Sequence, residues 1–495
     1  MTLYGEIEAV RAERGAGRGA ERFQPACQPA CQPACMRGQA GVASGLASVA
    51  GLMFGLDIGV ISGALGPVAR EFHATRLVQE WIVAAMMVGA ALGVPIAARL
   101  SFGWGRKHTL LIGAALFVAG SLFCAMAGSV GTLIAGRVTM GLAVGISTFT
   151  APLYIAEIAD PRHRGAMVAI YQLMITIGIM AAFVSNALFS YFETWRWMLG
   201  IVAFPGIVFM IGVAFLPASP RWLMMRGKRE AARRALQDLR GQGQSVAREL
   251  REIDARLHVR TSGWALLRRD RNFRRSVALG VTLQLVQQFT GMNVVMYYAP
   301  RILGLAGFID HGRLWGTVIV GAVNVAATFV AIGLVDRWGR RPLLVCGLVV
   351  MAIGMALLGI SPSAEVRETT AQALAIGGMI CFVSGFAFSA GPVTWVLCAE
   401  IQPLQGREFG VGCSTAANWV ANMIVGVSFL SLMDRLGLSA TFWLYAGLNA
   451  LFVLLVALFV PETKGLTLER IERDLAAGVR LRDIGHAGPL SGGRT

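Results

Sequence analysis

Asp57 is the residue of this chain in the most unusual setting. It sits in the segment 54–63 (FGLDIGVISG), and no other charged residue falls between positions 41 and 69. A carboxylate carried to membrane depth costs about 3 kcal/mol or more unless it is paired, neutralised or hydrated, which makes it functional by default. Burial disfavours its charged form and a nearby guanidinium restores it, so such an acid can trade a proton against a cation. The plainer alternative is an ion pair that only holds two helices together. A second set of residues is neutral: Gln172, Gln287, Gln288, Asn293, Asn324 and Asn418 all lie in apolar stretches, as does Trp395. An amide both donates and accepts, and an indole offers a flat face with one N–H. Together these suit a ligand with hydroxyls around a partly apolar ring. Positions 287 and 288 lie about 100° apart on a helix, with 293 nearly two turns on, so they can converge if Gly291 loosens the helix. The same amides could instead glue helices to one another. No hydrolytic nucleophile with its base, phosphate-cradling glycine loop or metal-spaced cluster accompanies them. His73, His108, His163, His258, His311 and His486 are scattered through loops and tails. No enzyme activity and no cofactor are expected, and without an ATP site the energy must come from an ion gradient or from the substrate's own.

The elements that carry these residues follow from composition. Of 495 residues 55% are hydrophobic and 15% charged, against about 25% charged in soluble globular proteins. Apolar runs of the length that crosses a bilayer, about 20 residues, recur along the chain. Twelve are expected, near 41–66, 81–98, 109–128, 130–155, 166–190 and 196–216, then 276–306, 313–335, 343–361, 371–399, 408–433 and 440–460. The fold class is an all-α membrane protein of two pseudo-symmetric six-helix bundles. The expected divisions are a disordered tail over 1–39, a first bundle over 40–216, a linker over 217–275, a second bundle over 276–460 and a tail over 461–495.

The formal charge of +16 would suggest nucleic acid on a soluble protein. Here the arginines sit mainly in loops, and the linker alone carries sixteen Lys/Arg against six Asp/Glu. By the positive-inside rule the linker and both termini are cytoplasmic, with the lipid bilayer as partner and no nucleic acid. Stretches 229–239 and 246–257 alternate charged and apolar residues at helical spacing, as short surface helices do. Cys27, Cys31 and Cys35 come from three copies of Gln-Pro-Ala-Cys without matching histidines. That pattern reads as extended tail rather than a zinc site, with Met36 as an alternative start.

The two halves repeat. Gly105, Arg106 and Lys107 after the second span answer Gly339, Arg340 and Arg341 after the eighth; Glu157 stands seven residues before Arg164, as Glu400 stands before Arg407. Matching motifs in matching loops are the signature of an internally duplicated transporter. Further segments join them: 54–63, Gly136 with Arg137, 152–157 (PLYIAE), 217–221 (PASPR), 287–293 (QQFTGMN), 335–341 (VDRWGRR), 391–395 (GPVTW) and 461–465 (PETKG). With these in order, the chain resembles the sugar-porter branch of the major facilitator superfamily over about residues 40–485. Within that branch it looks most like the bacterial galactose–proton and arabinose–proton symporters.

The resemblance implies a proton-coupled monosaccharide symporter of a bacterial inner membrane, working as a monomer by alternating access, with the proton as coupling ion. It makes Arg137 the partner of Asp57 in proton coupling. It makes Gln172, Gln287, Gln288, Asn293, Asn324, Trp395 and Asn418 the sugar ligands. Phe54 and Trp419 are implied as pocket lining, with Tyr297 and Tyr298 covering the pocket from outside. Ile179 stands where xylose-specific relatives carry a glutamine, which leans the site towards glucose or galactose. Arg106, Glu157, Arg164, Asp336, Arg340, Glu400 and Arg407 are implied as a cytoplasmic gate. Facilitative relatives carry an amide at position 57, so the acid favours symport over a uniporter. A non-transporting sensor would be expected to carry a longer cytoplasmic extension. Two departures stand out: Phe102 where the second half has Asp336, and Ala218 where an acid is usual. Both bear on gating rather than on the substrate.

Overall fold

The computed structural model describes residues 39–158, 164–192, 194–240, 244–257, 263–361, 368–403, 406–466 and 468–484. The tail with its three Gln-Pro-Ala-Cys copies lies outside the described residues. The first half is built from α1 (Gln39–Glu71), α2 (Arg76–Gly103), α3 (Arg106–Ala125), α4 (Val130–Ile158) and α5 (Arg164–Phe189), followed by the pair α6 (Trp195–Gly200) and α7 (Ala203–Phe215). Four shorter helices form the linker: α8 (Pro220–Met225), α9 (Arg229–Arg240), α10 (Gln244–Leu257) and α11 (Gly263–Arg269). The second half comprises α12 (Arg271–Phe289), α13 (Met292–Leu305), α14 (Asp310–Trp338), α15 (Arg340–Ile360), α16 (Glu368–Gly385), α17 (Gly391–Glu400), α18 (Arg407–Leu436) and α19 (Leu438–Phe459). A last short helix, α20, covers Leu468–Ala476. Many spanning helices outrun the apolar cores that mark them in the sequence: α1 continues to Glu71 and α2 already begins at Arg76.

Among the described residues, eleven helical stretches are long and apolar enough to cross a membrane. The seventh expected span is not one of them, for a local reason. α12 opens on Arg271, Arg274 and Arg275, and α13 has only 14 residues. Between them Gly291 adopts φ 92°, and a Cβ there would meet the Tyr445 ring at 2.9 Å and the Met355 methyl at 3.1 Å. Glycine alone fits both the dihedral and the space. α12 and α13 together take the place of the seventh span. The tenth is also irregular, since a π-helical turn over Phe386–Ala390 separates α16 from α17.

Small residues set the helix packing. Gly51, Gly55, Gly59 and Gly63 form one face of α1, and α5 lies directly on it. A Cβ on Gly55 would come within 2.0 Å of the Ile175 carbonyl oxygen, and one on Gly63 within 2.4 Å of the Asn186 amide carbon. α2 and α4 meet in the same way, Gly141 on Met86 and Gly89 on Val138. Between lipid-embedded helices there is little hydrophobic drive to associate, so close backbone approach supplies the dispersion that holds them. Large apolar side chains such as Leu92, Phe123, Phe204, Phe215, Phe329, Ile353 and Leu454 are exposed around the bundle, which is the surface that lipid solvates.

Candidate functional site

The α1–α5 contact fixes Asp57 between Gly55 and Gly59, both pressed on the Ile179 backbone. Arg137 reaches it from α4: Nη1 donates to Asp57 Oδ1 at 2.5 Å, and the two residues are 0% and 1% exposed. Arg137 Nε donates to the Ile82 carbonyl of α2 at 3.3 Å. A buried pair is held by its mutual charge, and removing one member strands the other at a cost of about 3–5 kcal/mol. The pair is neutral overall, and a proton taken by Asp57 would release the guanidinium.

The amides gather in the second half. Asn418 of α18 donates to Gln284 Oε1 at 2.5 Å and to Gln287 Oε1 at 2.9 Å. Gln287 in turn donates to the carbonyls of Ala390 (2.8 Å) and Gly391 (3.2 Å), where the π turn passes into α17. Asn293 donates to Gln288 Oε1 at 2.7 Å across the Gly291 break. Gln287 and Gln288 are thus drawn to different partners. Asn324 is 1% exposed and neither of its amide atoms has a direct partner. Gln172, Asn293, Trp395 and Phe54 are half-buried, whereas Gln287, Gln288, Asn418, Trp419 and Ile179 are buried. Phe54 meets Trp419 edge to face at 5.2 Å, joining α1 of the first half to α18 of the second. Tyr297 and Tyr298 are each 1% exposed, and the Tyr298 hydroxyl donates to the Gly426 carbonyl at 3.5 Å.

The linker-end charges pair within each half, and they do so twice in the same way. Arg106 donates to Glu157 at 2.7 Å, and Ser219 donates to the other oxygen of that carboxylate at 2.5 Å. In the second half Arg340 donates to Glu400 at 3.2 Å and Thr463 to its other oxygen at 2.6 Å. Ser219 and Thr463 hold the third positions of PASPR and PETKG. The second positions differ. Glu462 accepts from the backbone N–H groups of Arg340 and Arg341, both at 3.0 Å, and caps α15. Ala218 offers no such cap to α3; there Trp222 and Arg226 bond the Phe102 carbonyl instead. Gly105 (φ 91°) and Gly339 (φ 96°) make the two loop turns alike. Arg407 donates to the Gln402 carbonyl at 3.2 Å. The side chains of Arg164 and Asp336 lie outside the described residues.

Hydrogen bonds between the halves gather at the opposite end, in residues the sequence reading left out. Glu80 stands just before the expected second span at 81, yet α2 begins at Arg76 and turns it inward, and it is wholly buried. Its carboxylate accepts the backbone N–H of Ser431 at 2.7 Å and the Ser431 hydroxyl at 2.8 Å. Arg76 pairs with Asp434, and Arg301 donates to Gln79 at 3.2 Å. His311 stacks on Tyr191 at 4.3 Å. Gln284 was also missed: it lies three residues before Gln287, on the same helix face, and that spacing was its only signal.

Lipid-facing helices around a buried ion pair and a buried amide cluster define a multi-pass membrane protein with the major facilitator fold. The family model described as "Sugar (and other) transporter" matches residues 44–475, and the chain belongs to that family. It is 56% identical over 429 residues to the galactose-proton symporter of Escherichia coli K12, covering 86% of this chain and 92% of the relative. It is 49% identical over 432 residues to the arabinose-proton symporter of the same strain, with the same two coverages. Among solved structures, the proton:xylose symporter XylE bound to 6-bromo-6-deoxy-D-glucose matches with a TM-score of 0.77 and 31% identity, covering 88% of this chain and 98% of that one.

Proposed function

We propose that the protein is a proton-coupled monosaccharide symporter of a bacterial inner membrane, working as a monomer by alternating access with both termini cytoplasmic. Galactose, glucose or arabinose is its substrate. The observation that carries this reading is the buried Asp57–Arg137 pair, coupled through the Phe54–Trp419 contact to the helix that bears Asn418. The names of the relatives, galactose-proton and arabinose-proton symporters, support the same reading. In it, Asp57 takes a proton from the outer side and releases Arg137; the amides of Gln172, Gln287, Gln288, Asn293, Asn324 and Asn418, with the Trp395 face, hold the sugar. The paired carboxylates at the linker end form the inner gate, and the bonds around Glu80 hold the outer side shut. The arginine-rich linker supports a cytoplasmic placement.

The experiment is uptake of labelled D-galactose, D-glucose and L-arabinose by proteoliposomes, with and without an imposed pH difference. One pH unit corresponds to about 1.4 kcal/mol, so one-to-one coupling raises the accumulation limit about tenfold. Uptake that merely equilibrates, leaving external pH unchanged as sugar enters, would refute symport.

A further inference from the structure

Four buried polar groups, on four helices that pack together around α1, have atoms to spare. Asp57 Oδ2 and Arg137 Nη2, the atoms left over by the ion pair, have no direct partner, and the Tyr297 hydroxyl and the Asn422 amide make no well-formed bond except a loose approach to each other. All four residues are at most 1% exposed. Packing makes them neighbours: Phe54 meets Trp419 at 5.2 Å, Asp57 stands three residues after Phe54 on α1 and Asn422 three after Trp419 on α18, and α13, which carries Tyr297, packs on α1. Buried polar atoms seldom go without a partner, and a site with several convergent donors and acceptors suits a bridging water or an exchanging proton.

The helices that supply the second pair give the cluster its meaning. Tyr297 stands four residues after Asn293 on α13, and Asn422 four residues after Asn418 on α18. Residues four apart share one helix face, about 6 Å apart along the axis. These two helices of the second half therefore each carry an amide of the sugar cluster and, one turn on, a polar group on the same face. Resting on the symport reading above, we infer that Tyr297 and Asn422 are positioning residues which complete the proton site from across the bundle interface, so that sugar held at Asn293 and Asn418 biases the protonation of Asp57. A shift of α13 away from α1 would withdraw Tyr297 from the pair, and a shift of α18 would withdraw Asn422. By linkage the effect is reciprocal: whatever sugar does to proton affinity, the proton does to sugar affinity.

The other groups near Asp57 are accounted for. Arg137 faces it from α4, and the Cys124 thiol of α3 is turned to the Leu133 carbonyl and the Met140 sulfur of α4. α5 brings Tyr171 to Gly51 and Asn186 to Gly63, and α6 brings Arg196 to Glu71 at the end of α1. The linker helix α9 also packs on α1, and its Arg229 pairs with Asp254.

The test is D-galactose affinity at pH 6 and pH 8 for the wild type, Tyr297→Phe and Asn422→Leu in lipid nanodiscs. Coupling energies of this kind are typically worth fivefold or more, so the wild-type affinity ratio between the two pH values is expected to be at least about fivefold. Each variant should bind galactose yet show a ratio under about twofold, an outcome that a merely structural role would not produce. Tyr297→Phe keeps the ring and its packing, and it decides the matter if Asn422→Leu does not fold. Wild-type ratios in the variants that bind would overturn the inference alone. A wild type whose affinity ignores pH would overturn the symport reading, and the inference with it.

Discussion

Replacing Asp57 by Asn separates a coupling acid from a structural ion pair. Arg137 is 0% exposed, and besides the carboxylate at 2.5 Å it bonds only the Ile82 carbonyl, at 3.3 Å, among the contacts described. Stranding a buried charge of this kind costs about 3–5 kcal/mol. Asn retains an acceptor oxygen and the same volume, so the lower end is expected, seen as a fall in the thermal midpoint of the purified protein. The functional effect is different in kind. A pH difference of one unit supplies about 1.4 kcal/mol and up to tenfold accumulation in the wild type, whereas Asp57→Asn should equilibrate sugar and accumulate none. Entrance counterflow, which needs no net proton movement, should persist. The double variant Asp57→Asn with Arg137→Gln removes both charges and should recover most of the thermal midpoint while still failing to accumulate. Uphill uptake by Asp57→Asn at wild-type levels, or its return in the double variant, would refute the reasoning.

Two further outcomes follow from the geometry. Asn418→Ala strips its donor from the buried oxygens of Gln284 and Gln287, at about 1–3 kcal/mol for each oxygen left unsatisfied; galactose binding measured by calorimetry should weaken about tenfold or more, and an unchanged Kd would count against the amide cluster as the sugar site. Glu462→Ala uncaps α15 at Arg340 and Arg341 and should lower the thermal midpoint by the equivalent of about 1–2 kcal/mol.

How much was legible depended on the range of the interaction. The spans, the duplication and the Gly105 and Gly339 turns are written in local pattern, because hydrophobic runs and left-handed glycines act within a few residues. Ala218 was visible as a missing acid, but its meaning needed Glu462 to be seen capping α15 across more than a hundred residues of sequence. Glu80 is hidden for a simpler reason. A carboxylate one residue before an apolar run reads as lying outside the span until the start of α2 at Arg76 turns it inward. Gln284 was passed over because an amide at the edge of a motif is indistinguishable from a helix-gluing one by spacing alone.

The sequence by itself determined that the chain crosses a membrane many times, that its halves are copies, and that one acid lies where acids are costly. Those properties follow from hydrocarbon thickness and the cost of charge within it, which apply residue by residue. Only the tertiary structure decided which polar groups meet. The Asp57–Arg137 distance, the Asn418 bonds to Gln284 and Gln287, and the Glu80–Ser431 closure all depend on helix register and crossing, which close contacts such as Gly55 on Ile175 help to set. No local pattern encodes such a register, because it is fixed by many packed surfaces at once.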